Sequence, residues 1–336
     1  MLVVSHGSRE ADWVRLVDDA VAACADLMGG EVQVVSSFLE LVEGRLIQDG
    51  VHVLEAEGVT DLYVLPLFVS SGSTHVDDIA QAFGMAPVSA AREGELERFK
   101  VRDGVRVQFG VPIDDDGDIA ELLLRNIVEL SSGERELDGE QRSGAGARVE
   151  LAAAERESEQ REDAGARAKL GTAKVGEPSK GAEQLPAAKH EMLAEQEGAP
   201  SEGAGAKPAT AAAARRPERL LLVAHGSREA VFHGRWREGM AALAERVREL
   251  GGFAGAHSAM LLPNQAACKL RALQRRYPDD AFIVVPLFLS EGYFTRTVIP
   301  TRLAGLNYRY NGRALLPSPQ IARWMERQIR EWISSL

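Results

Sequence analysis

The chain carries two separate motifs twice, and this duplication limits what it can fold into more than any other feature. His6-Gly7-Ser8-Arg9-Glu10 follows an apolar run, and His225-Gly226-Ser227-Arg228-Glu229 follows another. Val64-Leu65-Pro66-Leu67-Phe68-Val69-Ser70-Ser71-Gly72 is echoed by Val284-Val285-Pro286-Leu287-Phe288-Leu289-Ser290-Glu291-Gly292. The proline lies 60 residues after the histidine in the first copy and 61 in the second. Two motifs held at nearly constant spacing mark a duplicated domain. The copies then diverge: Ser73-Thr74-His75 follows the first motif, whereas Tyr293-Phe294-Thr295 follows the second and contains no histidine.

The 336 residues suffice for two compact domains, each with a sizeable core. The divisions fall at 1–130, 131–217 and 218–336. Residues 131–217 are rich in Ala, Glu, Gly, Lys and Arg, with almost no large apolar residues and no aromatic side chain, which predicts a disordered linker without a site. Arg148–Leu170 could form transient helix there, and His190 reads as a solvated residue.

On either side, apolar strands alternate with amphipathic helices. The first half reads as strand Leu2–Ser5, helix Arg9–Met28, strand Val32–Phe38, helix Gly44–Glu57 closed by Gly58, strand Leu62–Val69, helix Val76–Phe83, strand Val105–Val111 and helix Ile119–Leu130. The second repeats the order: strand Leu220–Ala224, helix Arg228–Leu250, strand Phe253–Ala259, helix Asn264–Arg276, strand Ala281–Leu289, helix Thr295–Leu303, a weak strand at Ala314–Leu316 and helix Ile321–Ile333. Trp324 and Trp332 are expected on the inner face of that last helix. Such alternation predicts α/β architecture, with parallel sheets covered on both faces.

Several function classes fall away on composition. No apolar run approaches the roughly 20 residues that span a bilayer, and no signal-peptide pattern opens the chain. Cys24 and Cys268 share neither metal-ligand spacing nor a disulfide framework, which fits a reducing cytoplasm; both are expected as buried helix-face thiols. The chain is acidic and lacks interleaved basic and aromatic residues, which argues against nucleic acid as a partner.

The net charge of −11 hides an asymmetry. Residues 1–130 hold 9 basic and 24 acidic side chains (−15), 131–217 hold 13 and 16 (−3), and 218–336 hold 17 and 10 (+7). The halves could attract each other, the basic half could hold a polyanion, or the two surfaces could be separately solvated.

Open α/β sheets bind ligands beyond the carboxyl ends of their strands. His6 ends the first strand, Ser70–His75 follows the third, and Glu40, with Glu43 close behind, follows the second. Two imidazoles and a carboxylate on one rim can ligate a divalent metal or accept protons near neutral pH. The null case is a strand-end histidine that is merely hydrogen-bonded. Gly7-Ser8-Arg9 could form an anion-binding turn at a helix start. However, the chain has neither Gly-x-Gly-x-x-Gly nor Gly-Lys-Ser/Thr, and no Gly-x-Ser-x-Gly surrounds Ser8 or Ser227, so nucleotide binding and serine hydrolysis are weak readings.

Taken together, residues 4–9, 37–41, 64–76 and Val111-Pro112-Ile113-Asp114-Asp115 resemble the CbiX/SirB class of sirohydrochlorin chelatases, closely over 1–130 and more loosely over 218–336. The resemblance implies a class II chelatase fold of two flavodoxin-like halves facing a tetrapyrrole cleft. It also implies ATP-independent insertion of Fe²⁺ or Co²⁺ into sirohydrochlorin in siroheme or cobalamin synthesis. The family's histidines fall on His6 and His75, as metal and catalytic residues, and its acidic residue on Glu40. Ser70, Ser71, Gly72, Ser73 and Thr74 become candidate substrate contacts. Because sirohydrochlorin is a polycarboxylate, Arg228 and Arg296 are candidates to grip it, the alternative being ion pairs with local acidic residues. No tightly bound cofactor is expected: the metal is a substrate, and the chain is expected to act as a monomer.

In the second copy, alignment on Pro66 and Pro286 sets Thr295 against His75, and Met260-Leu261-Leu262 against Phe38-Leu39-Glu40. His225 remains without these partners, so the second half reads as a wall and substrate grip. A non-catalytic metal or tetrapyrrole carrier using the same rim is the rival function. Imidazole and carboxylate donors accept Fe²⁺, Co²⁺ and Ni²⁺ alike, so the sequence leaves the metal open.

Overall fold

The computed structural model describes residues 1–132 and 216–336. All but the outermost two residues at each end of the expected linker, His190 included, lie outside the described residues.

The first half forms β1 (Leu2–Ser5), α1 (Ala11–Met28), β2 (Val35–Phe38), α2 (Ile47–Ala56), β3 (Asp61–Pro66), α3 (Thr74–Ala82), β4 (Arg106–Phe109) and α4 (Gly117–Ser132), with a short helical turn at Ala90–Arg92 before β4. Its sheet is wholly parallel, in the order β2-β1-β3-β4. The second half forms β5 (Glu218–Gly226), α5 (Ala230–Gly251), β6 (Gly255–Leu262), α6 (Ala266–Arg276), β7 (Ala281–Pro286), a π-helical turn (Phe294–Val298), α7 (Ile299–Arg302) and α8 (Pro319–Ser334). Its sheet is also parallel, in the order β6-β5-β7. In both copies the first strand is central, so the histidine at its end sits at the middle of the rim.

Strand alternation explains why both sheet faces are covered. Leu2 and Val4 of β1 join Ile47, Val51 and Ile79 under α2 and α3, whereas Met1 and Val3 join α1 and α4. That second core is continuous with Leu220, Leu222, Trp236, Trp324 and Trp332 of the other half. The two halves therefore form one compact unit around a shared core, while the core under α2 and α3 belongs to the first half alone. Helix α1 packs on α8, and α4 packs on α5 and α8. Tyr63 stacks on Trp332, with ring centroids 5.1 Å apart and planes 11° apart, and its hydroxyl reaches Gln328 Oε1 at 3.3 Å.

The charge asymmetry is used in the same interface. Arg327 of α8 pairs with Asp116 and Asp118, Arg246 with Asp115, and Arg330 with Glu31. Part of the excess positive charge of the second half thus meets acidic residues of the first.

Four expectations are corrected. Helix α2 starts at Ile47 rather than Gly44, because Gly44 adopts φ +73° and the Asp49 carboxylate caps the Leu46 N–H at 2.8 Å. Gly58, at φ +79°, does follow the helix as its C-terminal stop. Ala314–Leu316 is not a sheet strand. Among the described residues, β7 forms a bridge on that side only at Arg309, Gly312 at φ +70° interrupts the extended run, and Leu315 and Leu316 donate to the Phe288 and Leu289 carbonyls beyond the end of β7. Cys24 is buried, and burial pushes its thiol up to about 12, but Cys268 is exposed. Ala266, Leu270 and Leu273 occupy the inward stripe of α6, and Cys268 lies outside it. The fourth correction, at Thr295, belongs to the site.

Candidate functional site

The turn after β1 brings His6 and Glu40 together. Gly7 adopts φ +103°, and a Cβ there would lie 2.0 Å from the Glu40 carbonyl oxygen, so only glycine allows so close a crossing. The Glu40 N–H donates to the His6 carbonyl at 3.1 Å. As a result His6 Nδ1 and Glu40 Oε1 lie 3.7 Å apart, both partly exposed to solvent.

His75 arrives from the first turn of α3. Its ring stands edge-on to that of His6, with centroids 4.9 Å apart and planes at 76°. The structure thus joins the three residues that the sequence places at the ends of different strands. Burial, with the nearby charges of His6, Arg92 and His225, lowers the His75 pKa to about 4. At neutral pH the ring is therefore uncharged and keeps a lone pair for a cation. Among the described residues no three or more His, Cys, Asp or Glu side chains close into a metal cage.

The loop after β3 has mixed roles. Ser70 Oγ accepts the Gly72 N–H at 3.0 Å, and Ser71 gives both its N–H and its hydroxyl to Asp114 Oδ1 at 2.8 and 3.1 Å. Gly72 is buried against α5: a Cβ there would lie 2.7 Å from Trp236 N and 2.8 Å from Phe232 O. These three residues shape the loop and the contact between halves; Ser70 and Gly72 are buried, whereas Ser71, Ser73 and Thr74 are partly accessible.

Arg92 carried no sequence signal, yet it lies at the centre of the electrostatics. Its guanidinium binds Asp78 of α3 through Nη2 at 2.7 Å and Nε at 3.3 Å, and reaches Glu229 of the second half through Nη1 at 3.0 Å. Asp78 is buried, which raises its pKa against the opposing pull of Arg92. The acidic pair Asp77-Asp78 just after His75 was the one available hint.

The second copy repeats the backbone but not the side chains. Gly226 adopts φ +85°, and a Cβ there would lie 2.4 Å from the Leu262 carbonyl, so Leu262 holds the place of Glu40. The ring against His225 is Phe294, at 5.2 Å and 89°. This corrects the expectation for Thr295: the ring that meets the rim histidine lies nine residues after Pro66 in the first copy and eight after Pro286 in the second, because the connection into the helical turn is one residue shorter. Thr295 is buried, and its hydroxyl bonds to Gly292 N and O at 3.0 and 3.2 Å. Arg296 is exposed and pairs with Glu291 at 3.3 Å, and Arg228 is exposed just after the Gly226-Ser227 turn. A cavity of about 520 Å³ lies elsewhere, lined by Asp116, Asp118, Arg246 and Arg327 and by no imidazole.

Comparisons with known proteins agree with this architecture. The profile of the CbiX family matches residues 1–130 and 219–332. No curated protein matches the chain in sequence. Among solved structures, SirB from Bacillus subtilis with Fe³⁺ is similar at 15% identity and TM-score 0.57, over 98% of this chain and 93% of that one. The sirohydrochlorin chelatase SirB of Bacillus subtilis subspecies spizizenii in complex with cobalt is similar at 15% identity and TM-score 0.51, over the same shares. A multi-domain Deinococcus radiodurans protein with structural similarity to chelatases gives 15% identity and TM-score 0.50, over 96% of this chain and 52% of that one. At these identities the likeness is one of fold.

Proposed function

Because the chain belongs to the CbiX family, we propose that it is a sirohydrochlorin chelatase, an ATP-independent lyase that inserts Fe²⁺ or Co²⁺ into sirohydrochlorin. The observation that carries this reading is the edge-on pair of His6 and His75, with the Glu40 carboxylate 3.7 Å from His6.

Metallation removes two pyrrole N–H protons as the metal binds the freed nitrogens. The incoming metal must first exchange water for a donor that will release it again. Neutral imidazoles suit Fe²⁺ and Co²⁺, and two of them without a closed cage bind loosely enough to pass the ion on. His75, held neutral, serves as donor. His6, beside Glu40, serves as donor and then accepts the two pyrrole protons one after the other, with the carboxylate stabilising the imidazolium that forms and the exposed ring releasing each proton to solvent. Ser73 and Thr74 border the substrate, while Ser70, Ser71 and Gly72 hold their loop. Arg228 and Arg296 bind the carboxylate arms. The exposed Arg296–Glu291 pair is weak enough, at about 0–1 kcal/mol, for a substrate carboxylate to replace it. In this reading the protein works as a cytoplasmic monomer with no bound cofactor and needs neither nucleic acid nor membrane.

Anaerobic incubation with sirohydrochlorin and, separately, Fe²⁺, Co²⁺ or Ni²⁺ tests the reading through the absorption change of the macrocycle. Many turnovers per protein support a chelatase, and the preferred metal assigns the siroheme or cobalamin branch. Product limited to one equivalent would identify a carrier instead.

A further inference from the structure

The segment that supplies His75 in the first copy supplies a cluster of rings in the second. Phe294 stacks on Phe288 with centroids 5.5 Å apart and planes 15° apart, lies 5.8 Å from Tyr293 at 64°, and meets His225 edge-on at 5.2 Å. Tyr293 is 42% exposed, and Phe288 and Phe294 are half-buried. Leu262 replaces the carboxylate, so the rim is aromatic and apolar where its counterpart is made of imidazoles and Glu40.

The backbone behind these rings is fixed by its own hydrogen bonds. The Ile299 N–H donates to the Phe294 carbonyl, closing the π-helical turn. Pro300 has no N–H, so the next carbonyl, that of Thr295, loses its helical donor. The buried Tyr310 hydroxyl replaces that donor at 2.6 Å, while the Thr295 hydroxyl ties back to Gly292. Single π-helical turns are frequent at functional sites, and this one opens on the phenyl ring that faces His225. The two rims are neighbours, because Arg92 joins α3 to Glu229 and Gly72 packs against α5.

We propose that Phe294, with Phe288 and Tyr293, is a stacking platform for one face of a flat conjugated macrocycle, opposite the face that receives the metal from His6 and His75. The proposal rests on the chelatase reading above and deepens it by giving the second half a share in substrate recognition. The duplicated domain has thereby been divided into a metal-handling rim and a ring-holding rim. A conjugated ring gains from offset stacking on aromatic faces, which an aliphatic side chain of similar bulk does not provide.

The test is titration of the full chain, without metal, by sirohydrochlorin, followed by the absorption shift of the macrocycle, for the wild type and for Phe294→Leu, Phe294→Trp and Tyr293→Ala. Thermal unfolding is recorded alongside. Phe294→Leu should weaken binding roughly ten-fold, a loss of about 1.4 kcal/mol, while Phe294→Trp stays near wild type. Tyr293→Ala, at an exposed position, should weaken binding several-fold with an unchanged melting temperature, and carries the test should the Phe294 variants not fold. Folded Phe294→Leu and Tyr293→Ala that bind like wild type overturn the platform while leaving the chelatase reading intact. A wild-type chain that does not bind the macrocycle overturns both.

Discussion

Arg92 of the first half and Glu229 of the second are joined at 3.0 Å, and the same guanidinium holds Asp78, one helical turn after His75. One side chain thus connects the helix that carries the metal-handling imidazole to the motif that carries His225. A fork geometry is needed for this, since two nitrogens serve Asp78 and a third serves Glu229. Arg92→Ala leaves Asp78 buried without its partner and should cost about 2–4 kcal/mol of stability in urea unfolding. Glu229→Gln, which breaks only the partly exposed contact between halves, should cost about 0–1 kcal/mol. Equal losses for the two would refute this division of roles.

His6→Ala and His75→Ala should each lower metal insertion by about 100-fold or more, within the range by which a positioned acid–base group accelerates a reaction. The folded state should survive, because neither side chain lies in the shared core. His225→Ala should be milder, within about ten-fold, since Leu262 and Phe294 stand where Glu40 and His75 meet His6 in the first copy. The check is steady-state insertion kinetics with circular dichroism on each variant. A collapse at His225 with an indifferent His75 would reverse the roles of the two halves.

How much of this was legible in the sequence depended on how local the cause was. The repeat, the parallel strands and the convergence of His6, His75 and Glu40 rest on strand ends and apolar alternation, which lie within short windows. The Phe294 ring was hidden because the connection from the shared proline to the helical turn is one residue shorter in the second copy, which alignment on the proline alone does not show. Arg92 was hidden because its partners are 14 and 137 residues away. The exposed Cys268 depended on helix phase, and the missing strand at Ala314–Leu316 on the conformation of Gly312. The shared core is a related case: apolar periodicity shows that a face is buried, not what buries it.

The approach to β2 offers a pH test away from the site. Arg45 donates to Asp18 through two nitrogens at 2.8 and 2.6 Å, and Ser36 donates at 2.8 Å. These bonds, led by Arg45, hold the Asp18 carboxyl below its ordinary value. A depressed carboxylate stabilises the fold at pH values above its unfolded pKa of about 3.9 and loses that contribution as the pH falls through the folded value. Wild type should therefore exceed Asp18→Asn in urea midpoint at pH 7, with the gap closing below about pH 4. A gap that is constant with pH would show that the charge of Asp18 is not what matters.

Two glycines separate close packing between the halves from general tolerance. A Cβ on Gly72 would meet Trp236 Cδ1 at 2.6 Å and backbone atoms of α5 at 2.7 and 2.8 Å, and helix backbone cannot swing aside as a side chain would. Gly72→Ala should therefore push α5 away from the loop before α3 and cost about 1–3 kcal/mol as an overpacked contact. Gly234 lies on α5 with nothing within 4 Å of its Cβ position, so Gly234→Ala gains helix propensity and should stabilise by up to about 1 kcal/mol. For a chain of this size each kcal/mol moves the melting temperature by roughly 2–4 °C, so the two variants should shift it in opposite directions. Because the Gly72 contact also sets the distance between the rims, Gly72→Ala should lose insertion activity at temperatures where it remains fully folded, whereas Gly234→Ala should not. If Gly72→Ala is fully active while folded, the spacing between the rims tolerates more change than the packing of Gly72 against α5 implies.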